Sequence, residues 1–302
     1  MSRRKRGRNI HGIVLLDKPA GISSNRALQK VRGMYQARKA GHTGSLDPFA
    51  TGMLPICLGE ASKTAAYMLD AGKHYRATAR LGEATTTGDV EGEVIQTCPI
   101  PGFQAEQFRQ VLEQFTGEIA QVPPMYSALK HEGRPLYEYA RAGIHIERPA
   151  RTVTIHQLEL VEWQSPDMTF DVHCSKGTYI RTLAEDIATA LESCAHLVKL
   201  RRLLVEPFDG SPMVTLGQLQ SAREQDSLAQ HLLPIDAGLD GWPKVELNPE
   251  QQGKFMHGNH FPFSGDGLHA GKVRVYAAQG SILGLANLQV DGILRPAKVF
   301  NL

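Results

Sequence analysis

Residues 41–54 read Gly41-His42-Thr43-Gly44-Ser45-Leu46-Asp47-Pro48-Phe49-Ala50-Thr51-Gly52-Met53-Leu54. Extended to residues 40–59, the segment holds four glycines, at 41, 44, 52 and 59, and two prolines, at 48 and 55. It also holds Leu46, Phe49, Met53, Leu54 and Ile56. Turn residues interleaved with large apolar ones predict a loop packed down onto a core, and such loops are where rigid sites are built. Asp47 stands inside it, before a proline that biases it to an extended or turn conformation. By spacing alone, an aspartate in this setting reads as a turn or cap residue.

Upstream, Ile13 to Leu16 reads as a short buried strand, and Asp17-Lys18-Pro19-Ala20-Gly21 has turn chemistry. Ser23 or Ser24 can cap a helix whose apolar stripe is Ala27, Leu28, Val31 and Tyr35. Downstream, 74–81 alternates: Tyr75, Ala77, Ala79 and Leu81 share one face, and His74, Arg76, Thr78 and Arg80 the other. That predicts a half-buried strand, with 92–97 returning beside it. Phe108, Val111, Leu112 and Phe115 mark a helix ended by Gly117. Between 121 and 151, Tyr126, Tyr137 and Tyr139 interleave with Lys130, Arg134, Arg141 and Arg148. This pattern suits a nucleic-acid-contacting insertion and equally an ordinary surface hairpin. Strands are predicted over 153–160 and 168–174, then a helix with the stripe Ile180, Leu183, Ala184, Ile187 and Leu191. Residues 207–243 are turn-rich. From Val245 a separate small module is expected: a short helix, then strands near 273–277, 282–288 and 297–300, suggesting a small β-barrel.

The net charge of +2 conceals an uneven distribution. Five cations fall within the first eight residues, a basic arm expected to be flexible, and the rest of the chain is net negative. Yet no acid occurs between Asp17 and Asp47, an interval holding Lys18, Arg26, Lys30, Arg32, Arg38 and Lys39. A polyanion-binding face fits there, and so does a solvated helix face. No apolar run approaches the roughly 20 residues of a membrane span, so no membrane association and a cytoplasmic location are expected. The four cysteines, Cys57, Cys98, Cys174 and Cys194, lack zinc-ligand spacing and are expected to be packed thiols.

The segment 41–54, GHTGSLDPFATGML, resembles the signature of the TruB-type tRNA pseudouridine synthases, which modify the T-loop uridine. LLDKPAGISSN at 15–25, KHYRATARLG at 73–82, TTTGDVEG at 85–92, VPPMYSALKHEGRPLYEYAR at 122–141, HCSKGTYIRTLAEDI at 173–187 and HLVKLRRL at 196–203 resemble further blocks of that family, in family order. The resemblance implies an α+β fold: a mixed, largely antiparallel sheet flanked by helices, with a small C-terminal β-barrel of PUA-like type. It implies a basic arm at 1–9, a catalytic domain at 10–243 with an RNA-gripping insertion at 121–151, and an RNA-binding domain at 244–302.

The resemblance also implies roles. Asp47 falls on the catalytic aspartate, Arg181 on its arginine partner, and Tyr75 on the tyrosine that stacks on the target base. Tyr179 and Leu200 fall on pocket residues that contact the nucleotide, and His42 on the histidine that enters the T loop. Lys18 and Pro19 fall on the motif supporting the floor of the site, and Thr43, Lys130 and Arg201 are further expected tRNA contacts. No cofactor or metal is expected. The partner expected is tRNA, gripped at the T arm and elbow, with the C-terminal module reaching toward the acceptor end, and the chain is expected to be a monomer. Without the resemblance, Tyr75 reads as a core tyrosine and Arg181 as a surface ion-pair residue. Two competing readings remain: an N-glycosidase pairing Asp47 with a second acid from Asp89, Glu185 or Asp186, and a non-catalytic tRNA-binding or tRNA-folding protein.

Overall fold

The computed structural model describes residues 7–102, 104–265 and 267–302. Most of the basic arm lies outside the described residues. In chain order the elements begin with β1 (Gly12–Lys18), α1 (Ser24–Tyr35), β2 (Ala40–His42), β3 (Thr51–Leu58), α2 (Ala65–Leu69) and β4 (Lys73–Leu81). There follow β5 (Glu83–Thr85), β6 (Val94–Thr97), α3 (Ala105–Gln114), β7 (Gly117–Gln121), β8 (Lys130–His131), β9 (Arg134–Pro135) and α4 (Leu136–Arg141). Then come β10 (Arg151–Gln164), β11 (Asp167–Cys174), α5 (Ile180–Ala190), β12 (Ala195–Val205), β13 (Val214–Thr215) and α6 (Leu216–Glu224). The chain closes with β14 (Lys244–Leu247), α7 (Pro249–Met256), β15 (Phe261–Pro262), β16 (Gly271–Ala277), β17 (Ile282–Leu288) and β18 (Ile293–Val299).

Among the described residues, nine strands form one sheet in the order β13-β1-β3-β12-β4-β11-β10-β7, with β2 paired to β3. Only β1 with β13 and β3 with β12 run parallel, so the sheet is mixed and largely antiparallel. β4 keeps the predicted alternation. Tyr75, Ala77, Ala79 and Leu81 are buried against Phe108 and Leu112 of α3 and Leu183 and Ile187 of α5. On the other face, Arg76 and Arg80 make two-pronged pairs with Asp171 and Asp167, their register partners on β11. α1 starts as expected: the Ser23 side chain accepts from the Arg26 N–H at 3.2 Å, and Ala27, Leu28, Val31 and Tyr35 are buried.

Three expectations need correction. Residues 92–97 do not return beside β4, because β11 and β12 already occupy both its edges; β6 pairs with β5 instead. The second half of the 40–59 segment is not loop but β3, which pairs with β1 from Gly52 to Leu58. Gly52, which reads as loop punctuation, sits inside that strand at φ +102°, and a Cβ there would lie 2.1 Å from the Arg202 carbonyl oxygen. Gly52→Ala combines that clash with a strained φ and should cost about 2–4 kcal/mol. A denaturant midpoint close to wild type would refute the close approach of β3 and β12. The cysteines also differ. Cys57 and Cys174 are buried free thiols, but Cys98 and Cys194 form a disulfide. Gly82 brings the two together: its carbonyl accepts from the Cys98 N–H and its N–H donates to the Cys194 carbonyl, both at 2.8 Å.

Residues 244–302 build their own five-stranded curled sheet, ordered β14-β16-β17-β18-β15, around Phe255, Val273, Val275 and Leu294. This unit is not freestanding. Leu285 and Phe300 pack into one cluster with Ile13, Leu15, Met53 and Met68. Arg274 pairs with Asp236 and Asp240 across the junction. One face of β1 and β3 is therefore covered by Met68, Phe208, Ile235 and Leu239 together with Leu285 and Phe300 of the C-terminal unit, and the other by α1 and α6. The central strands are held from both sides, which fixes the loop between β2 and β3.

Candidate active site

Asp47 is positioned through its neighbours. The Leu46 N–H donates to Ser24 Oγ at 2.7 Å, and that hydroxyl donates to the Leu46 carbonyl at 2.9 Å, tying the loop to α1. The Pro48 carbonyl accepts from the Gly21 N–H at 2.9 Å and from Lys18 Nζ at 3.2 Å. Lys18 Nζ also donates to the carbonyls of Pro19 and Ile22, at 2.9 and 2.8 Å. Its side chain is fully buried, and burial pushes its ammonium down to about 8 while Asp47 pulls it up. Lys18 is thus a clamp beneath the loop and has no surface to offer RNA. Thr43 is equally buried, with its N–H on the Pro55 carbonyl at 3.3 Å, so it too fixes the loop from inside.

Above this floor the carboxylate meets Arg181 at the start of α5. Arg181 Nε lies 3.0 Å from Asp47 Oδ2, and Nη2 lies 3.5 Å from Oδ1. The guanidinium is held on all sides: Nη1 donates to the Thr87 carbonyl at 2.7 Å, Nη2 to the Tyr126 carbonyl at 2.8 Å, and Asp89 Oδ2 lies 3.7 Å from Nε. Asp89 is itself fixed by the Thr87 hydroxyl at 2.6 Å and the Glu91 N–H at 3.0 Å. The Arg181 side chain is 5% exposed and that of Asp47 37%, so the arginine is the buried anchor and the carboxylate the accessible end. Burial pushes the Asp47 carboxyl above its usual range, Arg181 pulls it back down, and Asp89 pushes it up again.

The carboxylate opens into a cleft of about 460 Å³. Tyr75, Leu200, Arg202, Tyr179 and Arg181 line it together with Asp47. Five positions from three separate sequence blocks thus converge with the aspartate on one cavity, of a size that holds small ligands. Tyr75 and Arg202 are register partners on β4 and β12. The Tyr179 peptide is clamped by buried Gln121, whose side chain accepts from its N–H at 2.7 Å and donates to its carbonyl at 3.1 Å.

The remaining expected residues fall outside the cleft. His42, on β2, takes the Gly44 N–H on Nδ1 at 3.4 Å, and burial lowers its pKa. Pro19 is exposed at the turn above Lys18. Lys130 is exposed on the β8–β9 hairpin. Arg201 faces away from the cleft and pairs with Asp17 at 2.8 and 3.0 Å. The arginine on the site's side is its neighbour Arg202, 1% exposed, with Nε on the Met53 carbonyl at 2.7 Å and Nη2 on the Gly44 carbonyl at 3.1 Å. Period-two spacing from Leu200 was the available signal for it. Asp89, weighed above as a second acid, is instead the other carboxylate of Arg181. No local signal marked Gln121, because its partner Tyr179 is 58 residues away.

Chains in two H/ACA ribonucleoprotein structures share this fold. One is from a complex bound to a substrate RNA containing 2′-deoxyuridine (TM-score 0.73, 23% identity, 100% of this chain and 92% of that one). The other is from an archaeal box H/ACA complex (TM-score 0.73, 23% identity, 100% and 93%). The family model for the TruB family pseudouridylate synthase N-terminal domain matches residues 32–180. Models for the tRNA pseudouridylate synthase B C-terminal domain and the pseudouridine synthase II TruB C-terminal region match 181–240 and 243–300. Fold and matched regions together define a pseudouridylate synthase. Over its full length the chain is 47% identical to tRNA pseudouridine synthase B of Actinobacillus pleuropneumoniae, with 100% of each covered, and 48% identical to that of Mannheimia succiniciproducens, again with 100% of each covered. The chain belongs to the TruB family.

Proposed function

We propose that this chain isomerises the T-loop uridine of tRNA, position 55, to pseudouridine, with Asp47 as the catalytic carboxylate. The observation that carries this reading is the Asp47–Arg181 pair at the floor of a cleft walled by Tyr75 and Leu200. The reaction breaks the N1–C1′ bond, turns the uracil and joins C5 to C1′. It consumes no water and changes no oxidation state. Every route needs an ionised carboxylate beside sugar and base, and Arg181 supplies the charge that keeps it ionised once RNA excludes water. Asp47 then serves as nucleophile or as charge stabiliser.

The target base must leave the tRNA elbow, at a cost of a few kcal/mol. Stacking on Tyr75 returns about 1–3 kcal/mol. Tyr179 and Leu200 hold the nucleotide, His42 enters the vacated stack, and Pro19 and Arg201 meet the arm outside the cleft. In this reading residues 10–243 are the catalytic domain. The 121–151 insertion, with Lys130 exposed on its β8–β9 hairpin, grips the RNA. Residues 244–302 are a PUA-like domain reaching toward the acceptor end. The chain acts as a monomer in the cytoplasm. No helix among the described residues is long and apolar enough to cross a membrane.

Mapping modified uridines in tRNA before and after incubation tests the reading. Conversion of the T-loop uridine without free uracil supports it. Release of uracil indicates a hydrolase, and tight binding without conversion a folding or binding protein. The pH profile adds a second test. Asp47 works deprotonated, so single-turnover rates should fall as pH drops through its pKa. Because burial raises that pKa, the acid limb should lie above the ordinary carboxylate value near 4. Arg181→Gln removes the group pulling it down and should move the limb higher still. A limb that stays put in that variant would disconnect the two residues.

A further inference from the structure

One wall of the cleft carries two cations that no carboxylate among the described residues pairs with directly. Lys73 lies two residues before Tyr75 on β4, lines the same cleft and is 7% exposed. Its Nζ donates to the carbonyls of Leu69 and Ala71, at 2.8 and 2.6 Å, at the end of α2. The acids nearby are engaged elsewhere. Asp70 Oδ1 holds Lys176 Nζ at 2.8 Å, and Glu206 holds the Gly72 N–H at 2.9 Å and His173 Nε2 at 3.1 Å. Arg202, on the neighbouring strand, makes its hydrogen bonds to backbone carbonyls of Met53, Ser45 and Gly44. Burial pushes the Lys73 ammonium down to about 8, and Arg202 pushes it the same way.

Two carbonyls satisfy two of the three N–H groups of an ammonium, and its charge is only partly offset, at longer range, by Asp70 and Glu206. A cation held in that state on the wall of an open cleft favours an anion entering the cleft. Lys73 and Tyr75 are about 7 Å apart along the strand. A nucleotide whose base lies on Tyr75 therefore has its own backbone within reach of Lys73.

We propose that Lys73, with Arg202 behind it, forms the anion subsite that receives a phosphodiester flanking the target uridine when that base enters the cleft. This rests on the pseudouridine-synthase reading above. Lys73 would be the contacting group. Arg202 adds field while its donors stay on the β2–β3 loop and the Met53 carbonyl of β3. Arg181 is occupied by Asp47 and Asp89, so the subsite divides the work: one cation holds the catalytic carboxylate and another takes the RNA backbone.

The plain alternative is that Lys73 only ties down the end of α2. A cycle between protein and RNA separates the two. The full chain, as wild type, Lys73→Met and Lys73→Arg, is assayed on a T-arm stem-loop. The phosphates 5′ and 3′ of the target uridine are replaced, one at a time, by a neutral methylphosphonate. Wild type should lose about tenfold in single-turnover kcat/KM with one of the two neutral linkages. Lys73→Met should lose about tenfold on the natural RNA and nothing further on that neutral RNA, while Lys73→Arg keeps most of the wild-type rate. The slope of log affinity against log salt should also become shallower by about 0.7–0.9 in Lys73→Met, a change that a purely structural role does not produce. Equal losses for Lys73→Met on all RNAs, or a wild type indifferent to both neutral linkages, would overturn the subsite. If the wild type forms no pseudouridine on either the natural stem-loop or whole tRNA, the functional reading fails and the subsite falls with it. Turnover intact with no coupling removes the subsite alone.

Discussion

Asp47→Asn is expected to abolish pseudouridine formation while leaving tRNA affinity within about tenfold. The substitution preserves shape and removes charge. Arg181 keeps its bonds to the Thr87 and Tyr126 carbonyls and its approach to Asp89, so the cleft stays assembled. The loop carrying residue 47 is held through Leu46 and Pro48 by Ser24, Gly21 and Lys18, none of which touches the carboxylate oxygens. What disappears is the nucleophile or charge stabiliser, and with it at least about three orders of magnitude in turnover. Uridine mapping under single-turnover conditions and a binding titration on the same preparation check both halves. Substantial conversion by this variant would sink the mechanism. A collapse of binding would mean that the carboxylate organises the loop instead.

Arg181→Lys should lower turnover by about 10²–10³-fold with little change in affinity. Lysine retains the positive charge but loses the planar fork. The guanidinium contacts two carboxylates and two carbonyls at once, and an ammonium with three donors cannot reproduce that set. With the fork gone, burial continues to push the Asp47 proton affinity upward against weaker opposition. The unmatched Thr87 and Tyr126 carbonyls should also cost about 1–3 kcal/mol of stability, read as a lowered denaturant midpoint. Unchanged turnover would remove Arg181 from the site.

Local pattern carried much of the architecture. The strand at 73–81, the helix capped by Ser23 and the helix beginning at Ile180 are legible because alternation, capping and helical periodicity are short-range signals. β3 escaped because Gly52 and Pro55 read as breakers. Within the sheet, Gly52 is required by the approach of Arg202, and Pro55 lies where one edge of the strand passes from β12 to β2. The Cys98–Cys194 pairing escaped because 96 residues separate the two and Gly82 joins their backbones in space.

The segment 41–54 by itself determined that Asp47 sits in a packed, turn-held loop, and its likeness to one family named the chemistry. The tertiary structure decided the rest. It made Lys18 and Thr43 internal supports, turned Arg201 away and Arg202 inward, and showed Asp89 sharing Arg181 with Asp47. The physical reason is range. Turn chemistry and periodicity act over a few residues, whereas the field at Asp47 is set by groups 42 and 134 positions away in the chain that only the closed sheet brings together.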